Sequence, residues 1–217
     1  MSELVLPGVY APQDDTALLA EVLSGEPFRP GAQVLDVGTG SGALALAAAR
    51  RGAEVTAVDV SRRAVWTARL NAWRARVRIR ALRGNLFGPV RGLSFDVVLA
   101  NPPYMPAPDA PRAPHGRSRS WDAGDDGRLV LDRICRDGPG LLRPGGVLLL
   151  VQSALSGPGG SLCLLRAAGL KAAVVSRRWI AFGPVLRSRQ GWLRERGLLG
   201  AADAREELVV IRAERPL

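Results

Sequence analysis

Gln33-Val34-Leu35-Asp36-Val37 runs into Gly38-Thr39-Gly40-Ser41-Gly42 and then into Ala43-Leu44-Ala45-Leu46-Ala47-Ala48-Ala49-Arg50, and this succession decides the fold. The first five residues have the apolar content of a buried strand, and the alanine-rich run that follows has the spacing and propensity of a helix. Glycines between a strand and a helix let a ligand approach the backbone at a helix amino terminus. Strand-like and helix-like segments continue to alternate beyond this unit, with no internal repeat, which is the α/β signature.

Alone, the turn admits two ligands. Gly38-x-Gly40-x-x-Ala43 satisfies the dinucleotide fingerprint, whereas Gly38-x-Gly40-x-Gly42 behind Asp36 suits the methionine end of S-adenosylmethionine. A second strand over 54–58 ends at Asp59, placed to accept hydrogen bonds from a ribose diol in either case; its alternative role is to cap the helix expected over 62–73. After that helix, residues 73–80 alternate with period two. The spacing predicts a half-exposed edge strand with Arg74, Arg76, Arg78 and Arg80 on one face, which discourages edge-to-edge pairing. Gly84-Asn85-Leu86-Phe87 closes the unit and brings Asn85 towards an adenine ring.

The fourth strand, 95–100, runs into Asn101-Pro102-Pro103-Tyr104. Two successive prolines fix φ, remove two N–H donors and hold Asn101 out of helical geometry. What this leaves is a set of acceptors, the Asn101 side-chain oxygen and the Pro102 carbonyl, beside the face of Tyr104. Such a set suits a planar NH2 group. A nicotinamide enzyme would more often place a proton donor there, whereas methyl transfer needs little beyond in-line positioning.

Further along, a Pro- and Arg-rich loop from Met105 to about Ser120 carries Arg112, His115, Arg117 and Arg119. The pattern predicts a helix over 127–142, a strand over 147–151, a helix over 161–168, and strands over 172–175 and 208–211. Between the last two lies a basic stretch with Trp179, Phe182, Arg187, Arg189, Trp192, Arg194 and Arg196, read as a surface helix packed by its aromatics.

The 217 residues, 47% hydrophobic, suit a single domain, with a lead-in over 1–30, a lid-like loop over 105–126 and the basic insertion over 178–206. No apolar stretch spans a bilayer and the amino terminus lacks a signal-peptide pattern, so the expectation is a cytoplasmic protein without a membrane. Cys135 and Cys163 read as reduced thiols, and with His115 the single histidine no metal site is expected. The net charge of +10 invites a nucleic-acid partner. Lys171 is the only lysine, however, and an arginine-, alanine- and glycine-rich composition looks like the product of a GC-rich genome.

Asp36 to Gly42, Asp59 and Asn101 to Tyr104 together resemble the class I S-adenosylmethionine methyltransferases that act on planar amino groups, and within them the HemK-like glutamine N5-methyltransferases. Gly8-Val9-Tyr10 to Asp15-Thr16, Ser120-Trp121-Asp122-Ala123-Gly124, Gly127 and Asp132-Arg133 are similar to the short branch that modifies a Gly-Gly-Gln glutamine of class 1 release factors. The resemblance implies a Rossmann-like, seven-stranded, mostly parallel sheet with an antiparallel last strand and helices on both faces. It implies S-adenosylmethionine as cofactor, with S-adenosylhomocysteine as product. Thr16, Asp36, Gly38, Gly40, Gly42 and Asp59 would contact it, with Asn85 and Leu86 framing its adenine. Asn101, Pro102 and Tyr104 would be catalytic, and Pro103 would touch a protein substrate. Family members usually carry Asp at the position of Asn85; an amide oxygen still accepts from the adenine amino group, so weaker or retuned binding is expected. Bacterial HemK enzymes also have an amino-terminal helical domain for which this chain has no room, which leaves recognition to loops or a partner. The short branch works with a small zinc-binding activator subunit that covers a sheet edge. The arginine-faced strand argues against an apolar partner there, and a monomer is the default expectation.

Three other readings use the same residues: an adenine N6-methyltransferase of RNA or DNA with phosphates held by Arg112, Arg117 and Arg119, a nicotinamide oxidoreductase, and a non-catalytic module that retains the fold.

Overall fold

Val34 and Leu35 are sequence neighbours and both are fully buried, which requires a strand covered on both faces. The computed structural model, which describes residues 3–108 and 123–217, supplies both layers. Its strands are β1 (Gln33–Val37), β2 (Glu54–Asp59), β3 (Ile79–Arg83), β4 (Phe95–Ala100), β5 (Leu142–Ser153), β6 (Lys171–Ala181) and β7 (Arg205–Glu214). They form one seven-stranded sheet in the order β3-β2-β1-β4-β5-β7-β6. Pairing is parallel from β3 through β5, and β7 runs antiparallel to both β5 and β6.

Helices α1 (Asp14–Gly25), α2 (Ala43–Arg50), α3 (Arg62–Arg74), α4 (Leu131–Asp137), α5 (Pro158–Ala167) and α6 (Pro184–Glu195) complete the described chain. One core joins Leu18, Leu19 and Leu23 of α1 and Leu44 of α2 to Val34, Val97 and Leu149. The opposite core joins Leu131 and Ile134 of α4 and Leu165 of α5 to Leu35, Val98 and Leu148. Adjacent residues of each central strand thus enter different cores, so a one-residue slip would exchange the two layers. Strand order reverses between β1 and β4, and the crevice outside the carboxyl ends of these strands is where such sheets hold ligands. Both Gly38 and Asn101 emerge there.

Four expectations are corrected. Residues 73–80 are not one strand: α3 continues to Arg74, Arg76 turns with φ 55°, and β3 starts only at Ile79. Arg74, Arg76, Arg78 and Arg80 therefore share no strand face, although β3 is an edge of the sheet. The helix expected over 127–142 is confined to α4, followed by a 3-10 turn over Gly138–Leu141. The following strand starts at Leu142, not at 147, with an irregular register against Phe95 and Val97. Trp179 belongs to a long β6 and is 57% exposed, whereas Phe182, Leu186, Leu193 and Leu199 form a small core with Met105. Aromatic packing in the basic stretch thus holds for Phe182 and not for Trp179. Arg112, His115, Arg117, Arg119, Ser120, Trp121 and Asp122 lie outside the described residues. Among the described residues no helix is long and apolar enough to cross a membrane.

Candidate active site

A cavity of about 890 Å³ opens at the switch between β1 and β4. Gly38, Gly40, Asp59, Asn85, Leu86, Asn101, Pro102, Pro103 and Tyr104 all line it, so residues spread over β1, β2, β3 and β4 meet in one space. Leu86 adopts φ 47°. A non-glycine residue in this region marks backbone held by its surroundings.

The turn differs from its expected use. The N–H groups of Gly38 and Thr39 donate to the Val58 carbonyl at 2.8 and 3.1 Å. The Gly40 N–H donates to Asp59 Oδ2 at 3.0 Å. The first half of the turn therefore offers no free donors, as a pyrophosphate would require. Gly38 has φ 74°, and a Cβ there would project to 4.0 Å from the Asn101 carbonyl oxygen, across the gap between turn and strand end. Gly42 serves packing instead. Its φ is 91° and a Cβ would stand 3.0 Å from that of Ala68, so this glycine lets α2 pack against α3. It does not line the cavity.

Asp36 also lies behind the site. It is 1% exposed, its Oδ2 accepts from the Thr39 hydroxyl at 2.6 Å and the Ala45 N–H at 3.1 Å, and Oδ1 has no partner among the described residues. Burial pushes its pKa up to about 6. Asp59 faces the cavity, with Oδ1 accepting from the Ser61 N–H at 2.8 Å, and burial raises its pKa too. Ser61 caps α3 by accepting from Ala64, so Asp59 is not that helix cap.

On the other side of the cavity, α1 meets the strand end. Asn101 Nδ2 donates to Thr16 Oγ1 at 3.1 Å, and its Oδ1 and the Pro102 carbonyl accept no hydrogen bond among the described residues. Thr16 itself sits off the main cavity, in a small cleft behind the turn. The Tyr104 hydroxyl donates to Asp15 Oδ2 at 3.0 Å and the Tyr10 hydroxyl to the same oxygen at 2.7 Å. Burial holds both phenols above their usual range. Behind Tyr104, the Ser156 hydroxyl donates to its carbonyl at 2.8 Å. A Cβ on Gly127 would overlap that same carbonyl, so glycine is required for the approach.

Asp15, Tyr10 and Glu206 line the cavity and were not singled out as site residues from sequence. For Asp15 a signal existed: it lies on the buried face that Leu18, Leu19 and Leu23 continue, an unusual place for an acid. Glu206 shares the buried face of β7 with Leu208 and Val210. It is 5% exposed, and burial, aided by the nearby Asp15, moves its pKa up to about 7.

Residues 4–111 match the methyltransferase small domain. A putative protein N5-glutamine methyltransferase of Methanocaldococcus jannaschii is 34% identical over 177 residues, which cover 81% of this chain and 88% of that protein. The chain belongs to the HemK-like glutamine methyltransferase family. The release factor glutamine methyltransferase of Gloeobacter violaceus is 43% identical over 137 residues, 59% of this chain and 48% of that enzyme; this HemK-like methyltransferase spans about half the length of that bacterial relative. Its fold matches a chain of the E. cuniculi Mtq2–Trm112 complex, responsible for the methylation of the translation termination factor eRF1, with a TM-score of 0.68. That match has 24% identity and covers 96% of this chain and 99% of that one.

Proposed function

We propose that this methyltransferase transfers a methyl group from S-adenosylmethionine to the side-chain nitrogen of a protein glutamine, of the release-factor type. The observation that carries the reading is the pair of unengaged acceptors, Asn101 Oδ1 and the Pro102 carbonyl, on the wall of the cavity that the glycine turn bounds. The names of the Methanocaldococcus jannaschii and Gloeobacter violaceus relatives support glutamine over adenine.

The cavity suits this cofactor better than a dinucleotide. Its turn has spent the Gly38, Thr39 and Gly40 N–H groups on protein acceptors, which disfavours a pyrophosphate and leaves carbonyls and the acids Asp14, Asp15, Asp59 and Glu206 to face a cation. Gly38, Gly40, Asp59, Asn85 and Leu86 would hold it. When bound, S-adenosylmethionine supplies a methyl group on a positively charged sulfur, already a good leaving group.

The chain's own residues then orient the acceptor. An amide nitrogen is a weak nucleophile because its lone pair is delocalised into the carbonyl. Asn101 Oδ1 and the Pro102 carbonyl accept its two N–H hydrogens, aim the nitrogen and favour the positive charge that develops on it during attack. Tyr104, tethered through its hydroxyl to Asp15, packs against the amide plane. The apolar lining from Met105, Ile180, Leu186 and Leu208 receives the side-chain methylenes and keeps water away. The proton leaves to water after transfer. Incubation with labelled S-adenosylmethionine and the host's class 1 release factor should place the label on the Gly-Gly-Gln peptide. Label lost on nuclease treatment and absent from that peptide would instead establish the adenine reading.

A partner at the β3 edge is supported by a surface feature outside the cavity. Trp66, Leu70 and Trp73 form an exposed stripe along α3, with Trp66 66% and Trp73 76% exposed. Arg74 and Arg76 leave β3 for the helix end and the turn, so the edge is less arginine-faced than its sequence suggests. A small zinc-binding activator subunit of the kind expected for the short branch fits this stripe. Light scattering of the chain mixed with the host's activator should give a one-to-one complex; separate elution of the two would rule the partner out.

A further inference from the structure

The two ends of a side-chain amide have the same shape and opposite chemistry. Asn101 can therefore receive an NH2 group only if its oxygen, not its nitrogen, faces the cavity. Pro102 and Pro103 fix the backbone but say nothing about which way the amide is turned.

The direction is set from α1. Asp15 is 4% exposed, and its carboxylate accepts four hydrogen bonds: Oδ1 from the Thr16 N–H at 2.5 Å and the Thr16 hydroxyl at 3.1 Å, Oδ2 from Tyr10 at 2.7 Å and Tyr104 at 3.0 Å. A carboxylate has no hydrogen to give, so the Thr16 hydroxyl points its own at Asp15 and turns a lone pair towards Asn101. Asn101 must answer with a donor, and Nδ2 does so at 3.1 Å. Oδ1 is thereby directed at the cavity. With the amide reversed, its NH2 would meet the NH2 of the acceptor, two donors facing each other.

We propose that Asp15 is the positioning residue of this enzyme, setting through Thr16 the polarity of the Asn101 amide and so the preference for an NH2-bearing acceptor. The proposal rests on the reading of Asn101 as the acceptor clamp. The position is well chosen: Asp15 lies in the first turn of α1, where backbone N–H groups favour a negative charge, and its other oxygen fixes the Tyr104 hydroxyl. One buried carboxylate orients both side chains that flank the incoming amide.

The experiment uses Thr16→Val, which keeps shape and volume but removes the hydroxyl, so that nothing on α1 selects which end of the Asn101 amide faces the cavity. Turnover should fall by about 30-fold or more while S-adenosylmethionine affinity, measured by calorimetry, changes by less than about threefold. The same change in an Asn101→Asp background should cost less than about threefold relative to Asn101→Asp alone, because a carboxylate presents an acceptor whichever way it is turned. Asp15→Leu removes the acceptor that holds the Thr16 hydroxyl hydrogen and should lower turnover at least as much as Thr16→Val, with no further loss when Thr16→Val is added to it. Near wild-type turnover in Asp15→Leu or Thr16→Val would overturn the proposal. So would an equal loss in the two Asn101 backgrounds, which would indicate general disorder of the site. Should Asn101→Ala remain active, the clamp itself fails, and that outcome is distinct from failure of the relay.

Discussion

The two sides of the cavity are built in opposite ways. On the side of β1 and β2, backbone N–H groups make most of the bonds: Gly38 and Thr39 donate to the Val58 carbonyl, Gly40 to the Asp59 carboxylate and Ala45 to the Asp36 carboxylate, with close packing at Gly42. On the acceptor side, Asp15, Thr16, Asn101, Tyr104, Ser156 and Glu206 come from separate parts of the chain. Their side chains do the work. A wall of backbone donors is sensitive to glycine replacement and to loss of the two carboxylates that anchor it, whereas a wall of side chains depends on each hydrogen-bond direction.

The contrast can be broken most directly at Asn101. Asn101→Ala should lower turnover by about a thousandfold and leave cofactor affinity nearly intact, as judged by methyl-transfer assay and calorimetry; a parallel loss of both would mean the two walls are one unit.

Each wall also carries a buried acid. The pKa of Asp36 rises from 3.8 to about 6 and that of Glu206 from 4.5 to about 7. In these intervals the folded protein keeps protons that the unfolded chain has already lost, so stability declines as pH rises, by roughly 3 kcal/mol for each group. The decline from Asp36 ends near pH 6 and that from Glu206 near pH 7. Glu206→Gln should flatten the upper part of the curve of unfolding free energy against pH, and Asp36→Asn the lower part. An unchanged slope in both would remove the buried acids as its cause.

Gly42→Ala should cost about 2 kcal/mol in urea denaturation, from an unfavourable positive φ and the contact with Ala68. Turnover of the folded fraction should stay near normal, since this glycine is off the cavity. The smallest effect belongs to the outer face of α3: Trp73→Ser should change stability by less than about 0.5 kcal/mol, while weakening the proposed activator complex. Unaltered complex formation would move the partner elsewhere.

The backbone-built wall is also the one that sequence reveals. β1 and α2 lie where the strand-glycine-helix pattern puts them, and β2 and β4 end at the residues the pattern marks, because local spacing and conformational demand act over a few residues. The stretch 73–80 misleads for a related reason: a helix end followed by a turn imitates strand alternation when Arg and apolar residues happen to alternate. On the acceptor wall, Asn101 to Tyr104 is legible because two prolines have strong local consequences. Asp15 and Glu206 are less so, since a buried acid is recognisable only once the helix or strand face around it is known. Nothing local separates Gly42, which serves packing, from Gly38, which borders the cavity.

Just past Tyr104 the chain is pinned twice. Ala123 N–H donates to the Met105 carbonyl and Ala107 N–H to the Gly124 carbonyl, so the segment between leaves and re-enters at neighbouring points beside the cavity. Because the free energy of closing a loop rises only by about 0.6 kcal/mol for each doubling of its length, this junction makes a natural splice point. Segments of other lengths and sequences could therefore be grafted between Ala107 and Ala123 at small cost in stability.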